Sequence, residues 1–117
     1  MFEIIFYEKK NGKKPAEEFL FNSDVKMRAK LTGLLKILQE YGNMLREPYS
    51  KSLGNGIFEI RCKADNNISR VLYFFYANKK IILTNGFIKK SQKTPQNEII
   101  VARKYRADYI ERIGEME

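Results

Sequence analysis

Residues 57–88 read IFEIRCKADNNISRVLYFFYANKKIILTNGFI. β-branched and aromatic runs alternate here with short polar breaks, Asp65-Asn66-Asn67 and Asn78-Lys79. The pattern predicts strands at about 57–63, 68–76 and 80–88, joined by tight turns into an antiparallel meander. Side chains alternate between the faces of a strand. In the first strand Phe58, Ile60 and Cys62 share a core-like face, and Ile57, Glu59, Arg61 and Lys63 share an exposed one. The second strand is apolar on both faces, which marks it as central. Arg70 stands at its start, and a cation there must reach solvent, an acid or a phosphate.

Working outward, Phe2 to Tyr7 form another short β-prone run, closed by a polar stretch with the turn dipeptide Asn11-Gly12. Pro15 suits a first helical position, and Ala16, Phe19 and Leu20 follow at helical spacing, predicting a helix over 15–22. A longer helix is predicted over 24–41, with Asp24 as N-cap and Met27, Leu31, Leu34, Leu35, Leu38 and Tyr41 on one stripe. Gly42 is placed to end it. Residues 43–56 read as a loop. Thr94-Pro95 reads as N-cap and first residue of a last helix over 95–112, with Ile99, Ala102, Tyr105, Tyr109 and Ile113 inward. The 117 residues thus form one domain, 1–117, of β-α-α-β-β-β-α order. The expected fold is α+β, with helices on one face of a mostly antiparallel four-stranded sheet.

Charge is concentrated in the meander. From Lys51 to Lys93 nine Lys and Arg face two acids, a net +7 within a chain total of +8. Such a surface suits a polyanion, since neutralising phosphates is the main sequence-independent source of nucleic-acid affinity. The chain has no histidine. That excludes Ser-His and Cys-His nucleophilic sites and the usual Cys/His zinc sites, and leaves proton transfer to Lys, Glu, Asp, Tyr or the substrate. The single cysteine, Cys62, falls on the apolar strand face and reads as a buried small hydrophobe. No apolar run approaches the roughly 20 residues of a membrane span, so no membrane partner is expected and the cytoplasm is the expected compartment. Tyr49, Tyr73, Tyr76, Tyr105 and Tyr109 are the aromatics that could stack bases, although most tyrosines of a small domain belong to its core.

Three ordered motifs carry a family resemblance: Gly56-Ile57-Phe58-Glu59-Ile60-Arg61, then Arg70-Val71-Leu72-Tyr73-Phe74, then Gly86-Phe87-x-Lys89-Lys90-x-x-Lys93-Thr94-Pro95. With Pro15, Phe19, Leu20, Gly42, Lys51 and Leu53 they cover nearly the whole chain, which resembles the HigB-like, phage-derived branch of the RelE/ParE toxin superfamily. The resemblance implies a RelE-like (microbial ribonuclease-like) fold. It implies the toxin of a bacterial type II toxin–antitoxin pair, an endonuclease acting on mRNA at the ribosome. Its implied partner is a helix-turn-helix, HigA-like antitoxin, through which it meets operator DNA indirectly. Many members of the family carry a histidine where this chain has Asn85.

The expected chemistry is attack of a 2′-hydroxyl on the adjacent phosphate, with no metal and no cofactor. The candidate catalytic residues are Arg61, Arg70, Glu59 and Lys90; the candidate RNA-binding residues are Lys51, Lys63, Lys89, Lys93 and Tyr73. Arg61 and Arg70 are the expected phosphate clamps, read as solvated cations whose loss spares the fold, because a guanidinium can grip two oxygens. Glu59 reads equally as a base or as an ion-pair partner orienting Arg61. A lysine among Lys89, Lys90 and Lys93 is the other candidate for proton transfer. A ParE-like topoisomerase inhibitor and a non-enzymatic nucleic-acid-binding module are the alternative readings.

Overall fold

The computed structural model describes residues 1–89 and 93–114. The elements are β1 (Glu3–Phe6), α1 (Pro15–Asn22), α2 (Val25–Tyr41), a 3-10 turn (Gly42–Met44), β2 (Ser50–Gly54), β3 (Ile57–Ala64), β4 (Asn67–Tyr76), β5 (Lys80–Lys89) and α3 (Gln96–Gly114). No helix among the described residues is long and apolar enough to cross a membrane.

Local chemistry explains the helix ends. Pro15 opens α1, with Glu17 and Glu18 in its first turn, where the helix dipole favours acids. The Asp24 carboxylate caps α2 by accepting the Met27 amide at 2.8 Å. Gly42 closes α2 at φ +52, its N–H donating to the Leu38 carbonyl.

The strands form one sheet in the order β1-β5-β4-β3-β2. β1 runs parallel to β5, and every other neighbouring pair is antiparallel. The sheet therefore has five strands, not the four expected. The extra strand, β2, lies in the stretch read as a loop. It is an edge strand with polar and exposed side chains, so it carries no apolar alternation. Its turn was nonetheless written in the sequence: Asn55 and Gly56 both adopt positive φ, the geometry for which an Asn-Gly pair is selected in tight hairpins.

The helices lie on both faces rather than one. Met27, Leu31, Leu34 and Leu38 of α2 and Ala16 of α1 pack with Ile60, Cys62, Val71, Tyr73, Ile81 and Leu83. Ala102 and Tyr109 of α3 pack on the opposite face with Ile57, Leu72, Phe74 and Ile82. The cause is β4 itself, whose two apolar faces both demand cover. Cys62 is buried as expected, and burial pushes its thiol up.

Gly86 and the break in strand register sit together. The β4–β5 ladder shifts between Leu72 and Tyr73, leaving Thr84 as the bulged residue. A Cβ on Gly86 would lie 2.4 Å from Cδ2 and 2.8 Å from Cγ of Phe19, so α1 rests directly on the β5 backbone. Gly86→Ala is expected to lower stability by about 1–3 kcal/mol in chemical denaturation. Adding Phe19→Leu should recover part of that loss; no loss in the single variant would mean that α1 is not seated there.

The far end of α3 is held by a polar cluster. The Tyr7 hydroxyl donates to Asp108 Oδ2 at 2.6 Å, and Arg112 donates to the same oxygen at 2.7 and 3.0 Å. The Tyr7 hydrogen bond, then Arg112, holds the Asp108 carboxyl below its ordinary range. Burial first, and then Asp108, pushes the Tyr7 phenol up to about 12. A depressed carboxyl stabilises the fold above its unfolded value and loses that contribution as pH falls through its folded one. A raised phenol stabilises below about pH 10, the ordinary tyrosine value, and loses it as pH climbs toward the folded value. Thermal melts of wild type are expected to drop more steeply than those of Tyr7→Phe above about pH 10. Parallel curves would remove Tyr7 from the alkaline transition.

Candidate nucleic-acid interface

Strand register assembles the site on the α3 face. Lys51 of β2 lies opposite Glu59 of β3, and Arg61 of β3 lies opposite Arg70 of β4. One row further, Lys63 pairs with Ile68, and Ile68 with Lys89. These five cations and one carboxylate therefore share one face, at the end of the sheet where β3, β4 and β5 run past the start of α3.

Glu59 is the centre of this group. It is 1% exposed, and so is Arg70. Arg70 Nη1 donates to Glu59 Oε1 at 3.1 Å and Oε2 at 3.4 Å. The Thr94 hydroxyl accepts from Arg70 Nη1 at 3.0 Å and donates to Glu59 Oε2. Arg61 Nε stands 3.5 Å from Glu59 Oε1, its side chain 24% exposed. A buried carboxylate tolerates loss of water only when charges and hydrogen bonds replace it, and here two guanidiniums and a hydroxyl do.

Two expectations change. Arg70 is not a solvated cation at a strand mouth but a fully buried partner of Glu59. Glu59 is not on an exposed face, because the segment running into α3 brings Thr94 onto it. Glu59 is ion-paired, with Arg70 Nη1 at 3.1 Å and Arg61 Nε at 3.5 Å. Thr94, read from sequence as a helix N-cap, uses its side chain on the ion pair, and α3 starts at Gln96. Its value to the site had no signal beyond its place after the lysine run.

Arg61 is bordered by two clefts. One, of about 610 Å³, is lined by Lys51, Arg61, Lys93, Glu59 and Thr94 together with Glu47, Gln96 and Ile99. The other, of about 350 Å³, is lined by Pro48, Tyr49, Arg61, Lys63, Ile68 and Arg70 among others. Lys51, Lys63 and Lys93 are exposed, and Lys89 is half-buried at the end of β5. Lys90 lies outside the described residues.

Tyr73 is not part of this group. It is 1% exposed on the α2 face, hydrogen-bonded to the Ser50 hydroxyl and stacked on Phe58 with ring centroids 5.6 Å apart. Burial raises its phenol. The strand's central position, covered on both sides, leaves its ring no face for a base. Asn85 is also buried; its amide donates to Glu98 Oε1 at 3.0 Å and to the Glu98 carbonyl at 3.3 Å, tying β5 to the first turn of α3.

Residues 18–107, from α1 through most of α3, match the family described as phage derived protein Gp49-like (DUF891). The chain belongs to the Gp49-like family. This family is part of the RelE/ParE-like toxin superfamily, so the resemblance read from the three motifs holds at that level. No curated protein matches the chain. The matched span of this Gp49-like domain contains Glu59, Arg61, Arg70 and Thr94 and both clefts.

Breaking the buried pair is expected to damage the fold. Arg70→Ala would leave Glu59 with one guanidinium fewer in a dry site, at a cost of about 3–5 kcal/mol. Urea denaturation measures it. A change under about 0.5 kcal/mol, the usual figure for an exposed residue, would return Arg70 to the surface.

Proposed function

We propose that this chain is the toxin of a type II toxin–antitoxin pair, of the HigB-like branch, and cleaves mRNA on the ribosome. The observation that carries the reading is the Arg61 guanidinium, oriented by a buried carboxylate where two clefts meet, with Lys51, Lys63 and Lys93 around it. Membership of a toxin superfamily supports the toxin assignment.

The chemistry suits that cluster. The 2′-oxygen attacks phosphorus, the bond to the 5′-oxygen breaks, and the products are a 2′,3′-cyclic phosphate and a 5′-hydroxyl. The charge that builds on the pentacoordinate phosphorus is what fixed cations stabilise, and a guanidinium held in place needs no reorganisation to do so. Arg70 contributes by holding Glu59, which in turn aims Arg61. A lysine ammonium, that of Lys93 at the larger cleft or of Lys89 or Lys90 nearby in the sequence, hands a proton to the departing 5′-oxygen, and water takes the 2′ proton. The partner is a helix-turn-helix, HigA-like antitoxin that covers the basic face and joins the toxin to operator DNA. The cytoplasm is where mRNA, ribosome and antitoxin meet.

Induced expression in bacteria, with primer-extension mapping of mRNA ends, tests this. Growth arrest with cuts inside translated frames is expected, and co-expression of the neighbouring antitoxin gene should relieve it. Arg61→Ala should reduce cleavage by about 10²–10³-fold, the usual effect of losing one preorganised charge-stabilising group, while the protein stays folded. Arg61→Lys should recover little, because one ammonium does not reproduce the two-pronged grip. DNA damage without RNA cuts would mean a topoisomerase inhibitor of the ParE type. Neither effect would leave a binding module.

A further inference from the structure

The structure separates the tyrosines that could meet a base. Tyr73 is buried on the α2 face. Tyr109 is buried and packs edge-on against Phe74 and Tyr76. Tyr105 stacks on Tyr7 with centroids 4.6 Å apart. Tyr49 differs from all of these: it is 50% exposed and lines the 350 Å³ cleft beside Arg61 and Lys63. The backbone fixes it there, because the Arg61 amide donates to the Tyr49 carbonyl at 3.0 Å, and the Tyr49 amide to the Arg46 carbonyl at 3.1 Å.

We infer that this cleft is a subsite for one unstacked base of single-stranded RNA, with the Tyr49 ring as its stacking surface. The inference rests on the endonuclease reading and adds to it the contact beside the reacting phosphate. Pro48 and Ile68 supply an apolar rim, and Arg61 and Lys63 stand where the flanking phosphates run. Single-stranded RNA is gripped in this way, by aromatic faces set among cations, because every base offers a π-face and every linkage a charge. The volume lies within the range of clefts that hold small ligands, about 300–1,000 Å³. Arg61 lines this cleft and the larger one, so a strand crossing Arg61 has room for a nucleotide on each side.

The test is binding of a short, fluorescein-labelled, 2′-O-methylated single-stranded RNA, which cannot be cleaved, followed by anisotropy at several salt concentrations. Tyr49→Leu is expected to weaken binding by roughly five- to a hundredfold, the range for loss of one stacked base. Its salt slope should stay that of wild type, whereas Lys63→Ala should flatten the slope by about 0.7, the value for one phosphate contact on a single strand. Tyr49→Phe should bind as wild type, and so should Tyr41→Leu, a control at an equally exposed tyrosine on α2. If Tyr49→Leu binds normally while Arg61→Ala does not, the subsite is refuted and the endonuclease reading stands. If Tyr49→Phe fails as badly as Tyr49→Leu, the ring is not a stacking surface and the inference is overturned. If wild type neither binds the RNA nor cuts mRNA in cells, both readings fall.

Discussion

The carboxylate of Glu59 is the constraint around which this end of the molecule is built. A charge 1% exposed on a sheet face cannot be left to water, so three chain segments converge on it. β4 supplies Arg70, β3 supplies Arg61, and the stretch before α3 supplies the Thr94 hydroxyl. Two cations against one anion leave the cluster with a surplus positive charge, and the surplus sits on Arg61, the member with the exposed edge. An inward-facing acid thus places an outward-facing cation, and it does so through groups that also close the core.

α3 is fastened at both ends by polar contacts of different kinds. At its start Asn85 holds Glu98 and Thr94 holds the ion pair; at its other end Tyr7 and Arg112 share Asp108. Between them Ala102 and Tyr109 bury against β4 and β5. The helix therefore covers one part of its face of the sheet and leaves open the part that carries Arg61, Lys63 and Lys89. On the opposite face α1 and α2 seat through Leu31, Leu38 and the contact of Phe19 with Gly86.

The helices, the meander and most inner residues of α2 and α3 were legible because apolar spacing and end signals agreed; Tyr41, read onto the inner stripe, is half exposed because it is the last residue of α2. β2 was not, because an edge strand buries little and its polar residues follow no period; only the Asn55-Gly56 pair announced the hairpin. The second layer of helix was half legible. A central strand apolar on both faces was read, but not its consequence that cover is needed on both. At the site, Arg61 and the lysines follow from charge and alternation. Arg70 and Glu59 were singled out and misplaced in depth, because alternation assigns a face and does not say how far the next segment folds over it. Tyr73 and Tyr49 show the same limit, since two tyrosines of equal chemistry differ only in which layer covers them.

The position of Asn85 bears on how such a site can work without histidine. Its side chain is spent on Glu98, in the first turn of α3, and it lines neither cleft beside Arg61. A side chain here faces the helix start, so what position 85 gives this chain is the placement of α3 and, with it, of Thr94. Asn85 thereby fixes the start of α3, the element that follows Lys93. Electrostatic stabilisation by prealigned charges is commonly the largest single contribution to catalysis, and general acid–base help adds a smaller factor of about 10²–10⁴. On the proposed endonuclease function, a cation cluster locked by Glu59 and closed by Thr94 supplies the larger contribution, and the absence of histidine costs the smaller one.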